Sequence, residues 1–191
     1  MRRSVSLRDW KNTNCSIPAW GFNAGKRKLT LMKIRKLSSQ EYPKASALLR
    51  KAFPSSNYET RIFENLHKNE KHLHEWICIH RNKAIAYIAY SNAFCRKEVC
   101  GLHLAPLAVT PQMQNQGIGS ELLRFSLRQD VIKDKALFVL GDPNFYTKFG
   151  FEHCTMPICP FDKNNEHFLA IRNNTSSIFT VRYEQEFMIG M

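Results

Sequence analysis

Residues 114–120, Gln-Asn-Gln-Gly-Ile-Gly-Ser, place two glycines at the expected start of an amphipathic helix. Gly117 and Gly119 carry no Cβ, so the backbone there can approach a ligand closely and adopt torsion angles that other residues avoid. The first N–H groups of a helix have no acceptor within it, and the helix dipole favours an anion beside them. The pattern therefore predicts a phosphate-binding loop, with a packing role for the glycines as the alternative. The expected donors are the backbone amides of Gln116, Gly117, Ile118, Gly119 and Ser120.

The spacing in this loop matches neither of two common nucleotide-binding motifs. A P-loop requires Lys-Ser or Lys-Thr after its last glycine, whereas Gly119 is followed by Ser120 and Glu121. The dinucleotide fingerprint G-x-G-x-x-G is also missing, because position 122 is a leucine. Other parts of the chain therefore have to indicate which phosphorylated ligand is bound.

Pro106 interrupts an apolar run that is typical of a strand over residues 100–109. Proline has no N–H to donate to a sheet, so within sheets it is confined to edge strands and bulges. A bulge would leave neighbouring backbone groups unpaired and facing a cleft. The sequence allows either a bulge or an edge strand at this position.

Tyr146 follows a five-residue apolar strand, residues 136–140, and the turn Gly-Asp-Pro at residues 141–143. Near the start of a short helix over residues 144–149, its hydroxyl can reach a cleft and give or take a proton. Packing of the amphipathic ring is the alternative. Asp142 is expected to cap this helix, with Pro143 at the first helical position.

Hydrophobic periodicity predicts the elements that position these residues. The expected strands cover residues 32–37, 76–80, 84–93, 100–109, 136–140, 168–171 and 178–183, and the expected helices cover residues 42–53, 59–68, 119–130 and 144–149. The order β-α-α-β-β-β-α-β-α-β-β predicts an α/β domain of the α+β type with a mixed sheet.

The net charge of +12 is unevenly distributed over the 191 residues. Residues 1–31 hold seven Lys or Arg and one Asp, which is half of that charge. They show no sustained periodicity, and we expect a basic N-terminal extension, flexible or arising from an over-long start, before a domain at residues 32–191. The domain is moderately basic and lacks the interleaved aromatic and basic residues of an RNA-binding sheet, so nucleic acid is not an expected partner.

Six cysteines include no C-x-x-C pair and no partner histidines at zinc-finger spacing, so no metal site is expected. Several lie in apolar runs, as Cys78 does in Trp-Ile-Cys-Ile, which is typical of buried, reduced thiols in a cytoplasmic protein. No apolar stretch approaches the roughly 18 residues of a membrane span, so no membrane partner is expected.

Three motifs in order give the chain a family resemblance. Residues 107–120 read L-A-V-x-P-x-x-Q-x-x-G-I-G-S, a buried strand follows, and residues 138–151 read FVLGDPNFYTKFGF. This arrangement resembles the Gcn5-related N-acetyltransferase (GNAT) superfamily, most of all a bacterial branch with a G-D-P-x-Y-Y-x-x-F-G-F signature. The likeness extends from about residue 32 to the C-terminal VRYEQEF. It implies the GNAT fold, in which helices flank a mixed, mostly antiparallel central sheet.

The resemblance also implies an acyl-CoA site. The pyrophosphate of coenzyme A would lie on the amides of residues 116–120, with Gln114 at the position that opens the family motif. The strand containing Pro106 would splay from the strand at residues 136–140 and admit the pantetheine arm. Asn144 would contact the cofactor. The thioester carbonyl would accept a hydrogen bond from one of three amides, an interaction typically worth about 10²–10³ in rate; the candidates are Leu107, Ala108 and Val109.

Tyr146 matches the family tyrosine near the CoA sulfur, which implies that it acts as general acid. The general base is less well defined. An attacking amine with a pKa of about 10.4 must first lose a proton. His103, on the strand beside the expected cleft, is a candidate because histidine titrates near neutrality. Glu98 and a chain of water molecules are the alternatives.

We therefore expect an N-acetyltransferase that moves an acetyl group from its co-substrate acetyl-CoA to a primary amine by direct attack in a ternary complex. The acceptor is expected to be a small-molecule or protein amine, and a homodimer is one option for assembly. Cys100 keeps a covalent ping-pong route open. The alternative function is a CoA-binding regulatory module without turnover.

Overall fold

The computed structural model describes residues 32–162 and 164–188, so the predicted extension at residues 1–31 lies outside the described residues. Within the described ranges, no helix is long and apolar enough to cross a membrane. The strands are β1 (Met32–Lys36), β2 (His74–His80), β3 (Lys83–Cys95), β4 (Glu98–Val109), β5 (Leu137–Leu140), β6 (Glu152–His153) and β7 (Phe168–Ile171). The helices are α1 (Tyr42–Ala52), α2 (Tyr58–Lys68), α3 (Ile118–Leu127) and α4 (Pro143–Tyr146).

The seven strands form one sheet in the order β1-β2-β3-β4-β5-β7-β6. Neighbouring strands pair antiparallel everywhere except between β4 and β5, which run parallel. Parallel neighbours need a crossover connection, and α3 supplies it between these two strands. The predicted fold class, a mixed and mostly antiparallel sheet with flanking helices, is confirmed.

Alternate residues of each strand send their side chains to opposite faces of the sheet, and each face has its own core. On one face, α3 and α4 pack over residues such as Leu102 and Leu104. On the other face, α1 and α2 pack over Tyr87 and Ala108. The C-terminal segment, residues 181–187, covers the rest of that second face. β4 and β5 therefore have different elements packed on their two faces.

The strand predicted at residues 178–183 is wrong. In the described part of the chain this segment makes only isolated bridges, to Phe94 and to Ile158. β7 pairs with β5 on one side and with β6 on the other, so the segment cannot extend the sheet beside β7. Its apolar residues Val181 and Tyr183 pack across the second face instead.

Candidate functional site

β4 and β5, the two parallel strands, pair over two residues only. Leu102 lies beside Leu137 and His103 beside Phe138, and no further pair joins these strands in the described ranges. Beyond this point β4 continues to Val109 with β3 on one side and a gap on the other. The predicted parting of the two strands is present, and it opens a gap at the centre of the sheet.

A β-bulge bends β4 where the gap opens. The register between β4 and β3 shifts by one residue, so that Ala105 and Pro106 stand together opposite Ala89. In the strand order β4 lies between β3 and β5, and at the proline the register against β3 shifts as at a bulge. The bulge therefore accounts for the proline, as the first of the two sequence alternatives predicted.

Beyond the bulge, the backbone amides of β4 alternate between β3 and the gap. Thr110 donates its N–H to the Ile85 carbonyl at 2.9 Å, and by alternation the N–H of Ala108 also points toward β3. The N–H groups of Leu107 and Val109 then point into the gap. Of the three predicted carbonyl-binding amides, those of Leu107 and Val109 point toward the gap, while that of Ala108 points toward β3.

The glycine loop, residues 114–120, follows β4 and is held against the end of this strand. The Gln114 side chain donates from Nε2 to the Val109 carbonyl at 3.0 Å. Gly119 lies so close to Val109 that a Cβ on the glycine would be 3.3 Å from Cγ2. Gly117 occupies the helix N-cap with a left-handed φ of 79°, which favours glycine. One glycine therefore permits close packing, and the other permits the turn.

The first turn of α3 presents backbone donors beside the gap. The N–H groups of residues 118–120 have no acceptor within the helix because they belong to its first turn. The N–H of Glu121 already bonds the Gly117 carbonyl at 2.9 Å. Gln116 is exposed, and its side chain donates to the Gln112 carbonyl at 3.0 Å. An anion at this loop would therefore be bound by oriented backbone amides and not by charged side chains.

On the other side of the gap, β5 leads through Gly141 and Asp142 into α4. Asp142 caps this helix as predicted, accepting at Oδ1 from the Asn144 N–H at 2.9 Å. The side chain of Asn144 is exposed. Tyr146 is the last residue of α4, and its ring is 9% exposed and packs edge-on against Phe151. The ring is therefore held in the core on the face of the sheet that α3 and α4 cover.

The Tyr146 hydroxyl is protonated at neutral pH. Desolvation raises its pKa above the ordinary value, and the neighbouring Tyr90 and Asp142 raise it further. A neutral hydroxyl in this position can donate a hydrogen bond or a proton to an anion that forms beside it. The environment therefore keeps the hydroxyl protonated, in the form that donates a hydrogen bond.

His103 faces the side of the sheet opposite to Tyr146. Its ring stacks on Tyr183 with 3.8 Å between the centroids and meets Phe187 edge-on at 4.7 Å. The side chain is 4% exposed, and its Nδ1 has no hydrogen-bond partner within the described ranges. Burial lowers the pKa of His103 to about 3. The ring is therefore neutral at pH 7 and a weak proton acceptor.

Two other groups considered for catalysis lie away from the gap. Glu98 is exposed at the first position of β4, in the β3–β4 hairpin. Cys100 donates its thiol to the Ala93 carbonyl, and the strand from Cys100 to Leu107 spans roughly 20 Å. Neither side chain is brought to the gap. Among the residues that the structure describes, no group of three or more His, Cys, Asp or Glu could hold a metal ion.

Two features of the site were missed in the sequence. Gly141 lies against the Tyr146 ring, where a Cβ would come within 2.4 Å of Cε2; its place directly before the capping Asp142 was the available signal. Tyr183 and Phe187 cover His103 from the far end of the chain. No local pattern could indicate that contact.

A family model and a known protein each match part of this chain. Residues 71–153 match the family model described as an acetyltransferase (GNAT) domain. The protein named uncharacterized N-acetyltransferase YjhQ, from Escherichia coli strain K12, is 34% identical over 79 residues. The match covers 39% of this chain and 44% of that relative, so it spans less than half of the relative's length.

Solved structures share the fold over most of the chain. The GNAT family N-acetyltransferase YhbS from Escherichia coli, in complex with CoA, has a TM-score of 0.76 and 24% identity, covering 86% of this chain and 96% of that chain. A GNAT family acetyltransferase from Brucella melitensis, in complex with acetyl-CoA, has a TM-score of 0.67 and 24% identity, covering 82% and 97%. At this level of identity, the likeness shows the fold.

Proposed function

We propose that the chain is a member of the GNAT superfamily that transfers an acetyl group from acetyl-CoA to a primary amine. The match of residues 71–153 to the acetyltransferase (GNAT) domain model supports this proposal, as does the fold shared with a GNAT family N-acetyltransferase. The observation that carries the proposal is the parting of β4 and β5 directly beside the glycine loop. An extended ligand can enter such a gap while its anionic end lies on the backbone amides at the helix start. Coenzyme A has both parts, a pantetheine arm and a pyrophosphate. The CoA and acetyl-CoA complexes of the two structural neighbours support this choice.

In this proposal, the β4 side of the gap binds the co-substrate. The pyrophosphate lies on the amides of residues 116–120, and Gln114 holds the loop in place through the Val109 carbonyl. The pantetheine arm runs along β4. There the N–H groups of Leu107 and Val109 point into the gap, with the spacing at which a strand donates hydrogen bonds to its neighbour. Asn144, exposed at the start of α4, contacts the co-substrate from the other side.

The reaction is a direct attack. The amine nitrogen adds to the thioester carbonyl carbon and forms the C–N bond, and the C–S bond then breaks. Negative charge that develops on the carbonyl oxygen is met by the N–H of Leu107 or Val109, and one such donor is worth about 10²–10³ in rate. Tyr146 gives its proton to the departing CoA thiolate and regains one from solvent. The products are the amide and the free CoA thiol.

The amine must lose a proton before or during the attack. His103 is one candidate acceptor and a water chain is the other. Burial of His103 and its lowered pKa favour the water path. The pH dependence of kcat/KM in His103→Ala distinguishes them. If His103 is the base, its deletion should abolish the fall of kcat/KM at low pH; if a water chain is the base, the fall should remain.

The test of the proposed function is thiol release from acetyl-CoA by the full chain with a panel of primary amines, together with calorimetric binding of CoA. We expect CoA binding and saturable thiol release with at least one amine, matched by an equal amount of acetylated product. CoA binding without release for any amine would favour the regulatory module without turnover. A chain that does not bind CoA would overturn both functions.

The acceptor in this proposal is a small-molecule or protein amine, and assembly as a homodimer stays a prediction. A cytoplasmic location is also proposed. Cysteines 78, 95, 100, 154 and 159 are free thiols, which supports a reducing compartment.

A further inference from the structure

Gly141 marks the point where β5 ends and the polypeptide turns into α4. A methyl group in place of its Cα hydrogen would lie 2.4 Å from Cε2 and 3.0 Å from Cδ2 of Tyr146. Real contacts of a Cβ atom are longer than this, so either the backbone or the ring would have to move. The backbone is held, because the Gly141 N–H donates to the His167 carbonyl at 2.9 Å. The ring would therefore move.

The glycine is required for space and not for its backbone torsion. Among the glycines of the described residues, left-handed φ values occur at Gly117 and Gly150, so Gly141 has a backbone that alanine can adopt. The Tyr146 ring is 9% exposed and lies between Phe145, at 5.0 Å and perpendicular, and Phe151, at 5.5 Å. A ring packed in this way cannot yield to an added methyl without shifting its hydroxyl.

Asp142 controls the same tyrosine through the backbone. Its carbonyl accepts the N–H of Phe145 at 3.0 Å and that of Tyr146 at 3.2 Å. Its Oδ1 accepts the N–H of Asn144 at 2.9 Å and so closes the first turn of α4. The side-chain cap and the two backbone bonds together hold the first turn of α4, and Tyr146 is the last residue of that turn.

We propose that Gly141 and Asp142 are positioning residues that place the Tyr146 hydroxyl at the gap, Gly141 by leaving room for the ring and Asp142 by capping the helix that carries it. The inference rests on the proposed function, in which this hydroxyl protonates the leaving thiolate. It predicts that changes at the two positions reduce turnover through the tyrosine while co-substrate binding is retained.

The test is a double-mutant cycle with Gly141→Ala and Tyr146→Phe, measured by steady-state acetyl transfer and by CoA binding. We expect Gly141→Ala to lower kcat about tenfold with the KM for acetyl-CoA within twofold of the parent. In the Tyr146→Phe background the same change should have no further effect on kcat, because the hydroxyl it displaces is already gone. Full additivity, or an unchanged kcat in Gly141→Ala, would overturn the inference.

Asp142 provides a second test that does not depend on Gly141→Ala folding. Asp142→Ala removes the cap and should lower kcat, whereas Asp142→Asn keeps an oxygen at the capping position and should restore it. Thr147→Val is the matched control, since it deletes the bond from Thr147 Oγ1 to the Pro143 carbonyl in the same helix without touching the ring; kcat should stay within twofold. Equal loss in the alanine and asparagine variants would contradict a positioning role.

The cycle also separates the inference from the function on which it rests. An unchanged kcat in Tyr146→Phe would remove the general acid from the proposed function. A reduced kcat in Tyr146→Phe, with parent activity in Gly141→Ala and Asp142→Ala, would leave the general acid in place and refute only its positioning.

Discussion

The two sides of the gap offer a ligand different kinds of chemistry. The β4 arm, which comprises β4, the glycine loop and the first turn of α3, presents backbone N–H groups. The β5 arm, which comprises β5, Gly141, Asp142 and α4, presents one side-chain hydroxyl, that of Tyr146. Backbone donors are present in every residue except proline, so on the β4 arm the path of the chain matters more than side-chain identity. On the β5 arm a single oxygen matters, and neighbouring side chains position it.

This difference teaches which substitutions act on binding and which on turnover. A change on the β4 arm that alters the path of the loop should weaken co-substrate binding and leave the chemical step nearly intact. A change on the β5 arm should do the reverse. Three substitutions test this division, and a fourth, at His103, tests the face of β4 that lies outside both arms; each has a matched control.

The largest effect is expected for Tyr146→Phe on the β5 arm. Loss of the proton donor should lower kcat about 10²-fold, at the lower end for a general acid because a thiol is a tolerable leaving group. Calorimetry should give a CoA dissociation constant within twofold of the parent. Tyr90→Phe is the matched control, since it deletes a buried hydroxyl that bonds Ser126 Oγ at 2.7 Å in the same core. A turnover loss in Tyr90→Phe equal to that in Tyr146→Phe would break the assignment.

His103 belongs to β4 but faces away from both arms, and its effect should appear in stability. Its pKa is lowered to about 3 in the folded protein from an ordinary 6.5, so between these values the unfolded chain binds the extra proton. Stability from this group is therefore present above pH 6.5 and is lost as the pH falls. The loss is about 2 kcal/mol between pH 6.5 and pH 5, at about 1.4 kcal/mol per pH unit.

His103→Gln should remove this part of the acid destabilisation, as measured by urea unfolding at several pH values between 5 and 7. His153→Gln, on the exposed strand β6, is the control and should keep the parent's dependence on pH. An unchanged pH dependence in His103→Gln would show that the ring is not buried as the structure has it.

Gly117→Ala on the β4 arm should act on binding. Alanine pays roughly 1–2 kcal/mol for the left-handed torsion at this position, so the loop should relax and CoA affinity should fall about fivefold with kcat at saturation unchanged. Gly150→Ala, outside both arms, is a matched control, because Gly150 has a φ of 83° against 79° for Gly117. It should cost similar stability without changing CoA affinity. Equal losses of affinity in the two variants would contradict a role specific to the β4 arm.

The smallest effect is expected from side chains of the same loop. Gln114→Ala removes the bond to the Val109 carbonyl, and we expect about a threefold loss of CoA affinity as the loop loosens. Gln116→Ala, which deletes an exposed side chain but keeps its amide, should leave the affinity within twofold. A larger loss in Gln116→Ala would show that this side chain, and not the backbone, contacts the ligand.

Much of the candidate site could be predicted from local sequence, because local geometry depends on nearby residues. The glycine torsion at position 117, the bulge at Pro106 and the Asp142 cap each follow from what one or two residues can or cannot do. The strand expected at residues 178–183 shows the limit. Of its apolar residues, Val181 and Tyr183 are buried but Ile178 is 78% exposed. The edge of β7 that the segment would have joined is paired with β6.

By itself the sequence determined the kind of fold, the position of the backbone donors and the tyrosine opposite them. Only the tertiary structure decided how they act together. The N–H of Ala108 points toward β3, whereas those of Leu107 and Val109 point toward the gap. His103 and Tyr146 lie on opposite faces of the sheet. Both distinctions depend on which strands pair and in what register, and pairing is set by contacts between residues that are distant in the chain.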